Sequence, residues 1–106
     1  MSKIHILKSW PQFFAPISEG TRTHELRRND RGFAVGDMLV LREFEPQSQH
    51  YTGRECRAEI TSMTSFAQPC AVSGEALNAD FCILSIRLVQ AKDVKPTNSE
   101  ANTLAG

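Results

Sequence analysis

The 106 residues lack any apolar run that approaches the length of a membrane span, which excludes a transmembrane helix. The opening segment MSKIHILKSW is too polar, and its apolar run too short, for a secretory signal. The chain is therefore read as a cytoplasmic protein. Charge of one sign is also lacking: twelve basic and twelve acidic residues cancel. That balance excludes a generic polyelectrolyte binder of the histone kind. The cysteines number three, an odd count, and contain no C-x-x-C pair. No disulfide framework follows, and no zinc-ligand spacing links Cys56, Cys70 or Cys82 to His5, His24 or His50. Neither a metal site nor a cofactor is expected. Cys56 and Cys82 sit in apolar, strand-like runs and are read as buried thiols. Cys70, beside Pro69, is the one thiol expected at the surface.

What is present suits one small domain with a single core: 41% of the residues are hydrophobic. The charge is uneven along the chain. Residues 1–31 hold Lys3, Lys8, Arg22, Arg27, Arg28 and Arg31 against Glu19, Glu25 and Asp30. A local basic site on a neutral body is the natural reading.

Hydrophobic periodicity gives five strands and one early helix, in the order β-α-β-β-β-β. KIHILKS has strand composition, with Ile4 and Ile6 on one face and His5 and Leu7 on the other. WPQFFAPISEG reads as a short or kinked helix. Pro11 suits the first turn, Gly20 the position after the end, and Pro16 interrupts the interior. TRTHELRR returns to period two, with Thr23, Glu25 and Arg27 sharing a face opposite His24, Leu26 and Arg28. NDRGFAVGD is a turn-rich connection, and Asp37 after Gly36 is turn chemistry. DMLVLREFE is the clearest strand. PQSQHYTG reads as a hairpin loop, with Tyr51 an exposed contact. RECRAEITSMTSF alternates, with Cys56, Ala58 and Ile60 on one side. AQPCAVSGEALNA is a loop with room for one helical turn. DFCILSIRLVQ is apolar on both faces and is expected to be buried. From Lys92 the composition is polar and aromatic-free, so residues 92–106 are expected to form a disordered tail beyond a domain of residues 1–91. The fold class is mainly β with one or two short helices (α+β), a small five-stranded closed or half-closed barrel.

The chemistry concentrates in G-x-R-x-x-E-x-R, formed by Gly20, Arg22, Glu25 and Arg27. A carboxylate between guanidiniums orients them by charge-assisted pairing and can accept a proton from a ligand amine or hydroxyl. Arginines in a cleft bind phosphate or stack on bases. Glu25 and Arg27 equally suit a structural ion pair that closes the barrel. Trp10 admits two readings, a core residue and a stacking platform, and the core is favoured. Lys8 is placed either in the cleft or on the exposed side of the first strand. Arg28 and Arg31 are read as solvated turn residues. His5 and His24 are taken as structural. Phe13, Phe14, Phe33, Phe44, Phe66 and Phe81 are the core candidates.

This motif resembles the G-x-K-x-x-E-x-R signature of ASCH domains (activating-signal-cointegrator homology), in the PUA-like superfamily. HILKSWPQFF, LRRNDRGFAVGDMLVLREFEP, YTGRE and ILSIRL resemble one branch, small ASCH-like domains of bacteria and phages, over roughly residues 5–88. The resemblance implies a PUA-like barrel whose first helix borders a cleft lined by the signature residues. It also implies binding of RNA or nucleotides, and in a few relatives hydrolysis of RNA or of an acylated cytidine. Gly20, Glu25 and Arg27 match the signature; Arg22 replaces its lysine. Relatives that hydrolyse an amide use that lysine, with threonine where this chain has Glu25. Arginine stays protonated, so Arg22 favours anion binding over base or nucleophile chemistry.

The expected function is an RNA- or nucleotide-binding module. Its ligand would be held by Arg22, Glu25, Arg27, Lys8 and Trp10. The alternatives are a hydrolase of RNA or of a modified nucleoside, with Glu25 as general base, and a protein-interaction module. No catalytic residue is assigned unless the hydrolase reading holds.

Overall fold

The computed structural model describes residues 2–93. The order is β1 (Ile4–Ser9), α1 (Pro11–Ser18), β2 (His24–Arg28), β3 (Met38–Glu45), β4 (His50–Thr64), α2 (Ser73–Ala76) and β5 (Phe81–Asp93). The five strands form one sheet in the order β1-β3-β4-β5-β2. Only the β1–β3 pair is parallel; the other three pairs are antiparallel.

β4 and β5 are long enough to bend. Register shifts between Arg42 and Phe44, between Arg57 and Ala58, and between Ile60 and Ser62 add local twist. The sheet therefore curls until its two edge strands, β1 and β2, face each other without pairing. The result is a half-barrel with one open seam.

The concave side holds the core: Leu7, Leu39, Leu41, Cys56, Ala58, Ile60, Cys82, Leu84 and Ile86, with Phe33 at one end. Helix α1 sets Phe14 and Ile17 into this core and packs against β3 and β5. Fully burying each such side chain contributes roughly 1.5–3 kcal/mol.

Several expectations need correction. β5 is buried on one face only: Cys82, Leu84 and Ile86 point inward, while Ile83 and Val89 are exposed. A single curled sheet has one core side, so apolar residues on both faces of its strand do not mean burial on both. The alternation of β1 is as expected, and the buried face is that of His5, Leu7 and Ser9, with Ile4 and Ile6 outside. β4 starts at His50, so the hairpin loop is shorter than expected and HYTG belongs to the strand. β5 runs on to Asp93, two residues past the expected domain boundary. The remainder of the expected tail lies outside the described residues. Phe14, Phe33 and Phe44 are buried, whereas Phe13 and Phe66 are exposed and Phe81 is half-buried.

One buried polar cluster fastens the strand starts. Asp37 accepts from the His5 ring at 2.8 Å, from Lys3 N–H at 3.0 Å and from Ala34 N–H at 3.1 Å. Burial alone would push its carboxyl up. The hydrogen bonds from His5, Lys3 and Ala34 outweigh that and hold it below the ordinary value. Turn chemistry is thus only part of the role of Asp37. His5, whose ring lies against Phe33, has a partner that its own neighbourhood in the chain does not reveal.

Candidate functional site

Helix α1 ends in a Schellman motif, which delivers the signature residues. Gly20 N–H donates to Ile17 C=O and Thr21 N–H to Pro16 C=O, with Gly20 at φ 84°. Arg22 N–H donates to the same Pro16 carbonyl. The signature glycine is therefore the left-handed residue that turns the chain from α1 toward β2. It fixes Arg22 at the helix end.

In β2, Glu25 and Arg27 share the inward face. Arg27 Nε donates to Glu25 Oε2 at 2.6 Å, and Arg27 Nη2 donates to the carbonyl of Lys8 on β1 at 2.5 Å. Glu25 is only 6% exposed, so its charge is held by this charge-assisted bond. One side chain thus forms the ion pair and bridges the seam.

Around this pair lies a cleft of about 530 Å³. It brings together Lys8, Trp10, Arg22, Glu25 and Arg27, and adds Ser9, Phe13, Leu26 and Arg28. Trp10 is not a core residue. It precedes Pro11 as the N-cap of α1 and is 47% exposed at the cleft wall. Arg22 lies over the Phe13 ring, 4.9 Å from its centroid. Lys8 lies over Phe44 at 4.3 Å. Arg28, read as a solvated turn residue, borders the cleft with its guanidinium over Phe81.

Two buried polar atoms here have no hydrogen-bond partner in the protein: Ser9 Oγ and Arg22 Nε. Such atoms carry a desolvation cost of about 1–3 kcal/mol each, more for a charged group. Sequence reasoning missed Ser9 and Phe13. A serine closing a strand and a phenylalanine inside a helix carry no local signal. Only the alternation of β1 hints that Ser9 shares the inward face of His5 and Leu7.

Cys56 is close enough to feel the charge of Glu25. Burial first, with Glu25 and Glu55 adding to it and Arg54 opposing, pushes its thiol up to about 11. The Cys82 thiol is raised too, by burial and by Asp30. Neither supplies a thiolate nucleophile. Among the described residues, no group of three or more His, Cys, Asp or Glu side chains could hold a metal, and no helix is long and apolar enough to cross a membrane.

The fold is a curled five-stranded half-barrel with a helix across its mouth and a carboxylate–guanidinium pair beneath, the architecture expected of a small ASCH-like barrel. The crystal structure of a mutant ZmASCH protein from Zymomonas mobilis has this fold. It matches with a TM-score of 0.54 over 90% of this chain and 73% of that one, at 14% identity. By sequence, the chain belongs to the family described as "Domain of unknown function (DUF3850)", whose model matches residues 4–86. It is also 36% identical, over 67 residues, to the uncharacterized 12.9 kDa protein in the GpA 3′ region of Escherichia phage P2. That match covers 63% of this chain and 60% of the phage protein's length.

Proposed function

We propose that the protein binds RNA or a nucleotide in the cleft between α1 and the β1–β2 seam. The observation that carries this reading is the pair of buried atoms, Ser9 Oγ and Arg22 Nε, that find no partner in the protein. Both border a cleft lined by Arg22, Arg27 and Arg28 against one carboxylate, with Lys8 at its edge, its ammonium turned to the exposed face of β1 over Phe44. A ligand bringing acceptor oxygens would meet both donors and the surplus charge. A phosphate does so. Trp10 and Phe13 offer aromatic surface for a base beside that phosphate. Glu25 keeps Arg27 in place through Oε2 and has Oε1 left to accept from a base amine. The resemblance to ASCH domains points the same way.

The experiment is binding of fluorescent RNA and DNA oligonucleotides to the wild type and to the double variant Arg22→Ala, Arg27→Ala, with folding checked by circular dichroism. Binding that the folded variant loses is the expected result. Failure of the wild type to bind oligonucleotides or mononucleotides, at low salt and high protein concentration, overturns the reading.

A further inference from the structure

A second, smaller cavity lies next to the cleft, at the far side of Arg27. Its volume is about 160 Å³, and Leu7, Arg27, Arg28, Asp30, Arg31 and Phe33 line it. Arg27 and Arg28 border both cavities, so the end of β2 separates them. Buried Leu7 and Phe33 close it on the core side. Three arginines face one acid, Asp30, which leaves a surplus of two positive charges in a small space.

The arginines are held along the seam. Arg27 Nη2 donates to the Lys8 carbonyl, and Arg31 Nη1 donates to the Ile6 carbonyl at 3.3 Å. Both carbonyls belong to β1, which pairs only with β3. Two residues along a strand span roughly 6.6 Å. That is close to the spacing of neighbouring phosphates in an extended single strand. Each guanidinium has five N–H donors. Anchoring uses two of them on Arg27 and one on Arg31, so each remains a positioned donor to an anion.

We infer that the small cavity is a second phosphate subsite, with Arg31 as its principal ligand, and that the natural ligand is a single strand of at least two nucleotides running along the β1–β2 seam. This rests on the reading of the main cleft as an RNA or nucleotide site. It goes further in making the ligand an oligonucleotide rather than a free mononucleotide.

The test is calorimetric titration of the full chain with unlabelled nucleoside 5′-monophosphates and with tetraribonucleotides of each base. The variants are Arg31→Ala, Arg31→Lys and Arg22→Ala, each checked by circular dichroism. The expected result is tetranucleotide binding at least about tenfold tighter than mononucleotide binding. Arg31→Ala should remove most of that difference and lower the salt slope by about 1, while Arg31→Lys should keep the slope. Equal affinity for the two lengths overturns the subsite and leaves the main cleft standing. So does an Arg31→Ala loss shared equally by both probes, or no loss at all. No binding of either probe, or tetranucleotide binding indifferent to Arg22→Ala, overturns both readings.

Discussion

Arg27 on β2 and Lys8 on β1 are joined by a side-chain-to-backbone hydrogen bond of 2.5 Å, across a seam where the two strands form no ladder. The same guanidinium neutralises buried Glu25. Arg27→Ala therefore removes the seam bridge and strands a buried carboxylate. Breaking one partner of a buried pair costs about 3–5 kcal/mol, and the partial exposure of Arg27 lowers that to about 2–3 kcal/mol here. Urea denaturation should show it. The double variant Glu25→Ala, Arg27→Ala should be less destabilised than the sum of the singles, because it leaves no unpaired charge. Additive losses would mean the pair is uncoupled.

Gly20 should behave as a structural member of the signature. A Cβ there meets nothing within 4 Å, so only the backbone at φ 84° resists substitution. Gly20→Ala should cost about 1 kcal/mol in thermal or urea unfolding. Gly20→Asn, which tolerates the left-handed region better, should cost less. A loss above about 3 kcal/mol would point to a steric role that the surroundings do not suggest.

Asp37 sets an acid limit on stability. Its folded value lies below the ordinary 3.8. The carboxylate then contributes stability that is fully present above 3.8 and is lost as pH falls toward the folded value. The urea midpoint should drop below about pH 4 in the wild type. Asp37→Asn should be less stable at pH 7 and should lose less between pH 5 and pH 3. Parallel pH profiles for the two proteins would remove Asp37 from this role.

The thiols should split into two classes. Cys56 and Cys82 are buried, with raised thiol values, and Cys70 is exposed. In the folded protein a disulfide reagent at pH 8 should titrate one thiol rapidly and the other two only on unfolding. Cys70→Ser should abolish the fast phase.

Where the sequence could be read, it was through local rules. Alternation put Glu25 and Arg27 on one face, and Gly20 marked the helix end. Strand character over residues 38–45 needed no partner to be seen. The misreadings came from contacts remote in the chain. The alternation of β1 does not say which face is buried; it is the His5 face, because Asp37, 32 residues away, satisfies the ring. Trp10 looked like core material, but Pro11 starts the helix immediately after it and leaves the indole outside the packed face. Ile83 is apolar and outward because the sheet is a single layer there, which no window of β5 can reveal. The motif accounts for Arg22, Glu25 and Arg27 among the cleft residues. Ser9 and Phe13 were added only by the curl of the sheet.

Glu25 separates a binding module from a hydrolase. Its Oε2 is committed to Arg27 at 2.6 Å, and a carboxylate so held serves first to position the guanidinium. If the protein is a binder, Glu25→Gln weakens oligonucleotide affinity several-fold, through a misplaced Arg27 and a lost acceptor, and neither protein turns over RNA or an acylated cytidine. If Glu25 is a general base, the wild type turns over one of these substrates, while Glu25→Gln retains affinity and loses turnover by about 10²-fold or more. The unlike fate of affinity and rate in one variant discriminates the two. The geometry favours the first outcome, because Glu25 is already committed to holding Arg27, which in turn bridges to β1.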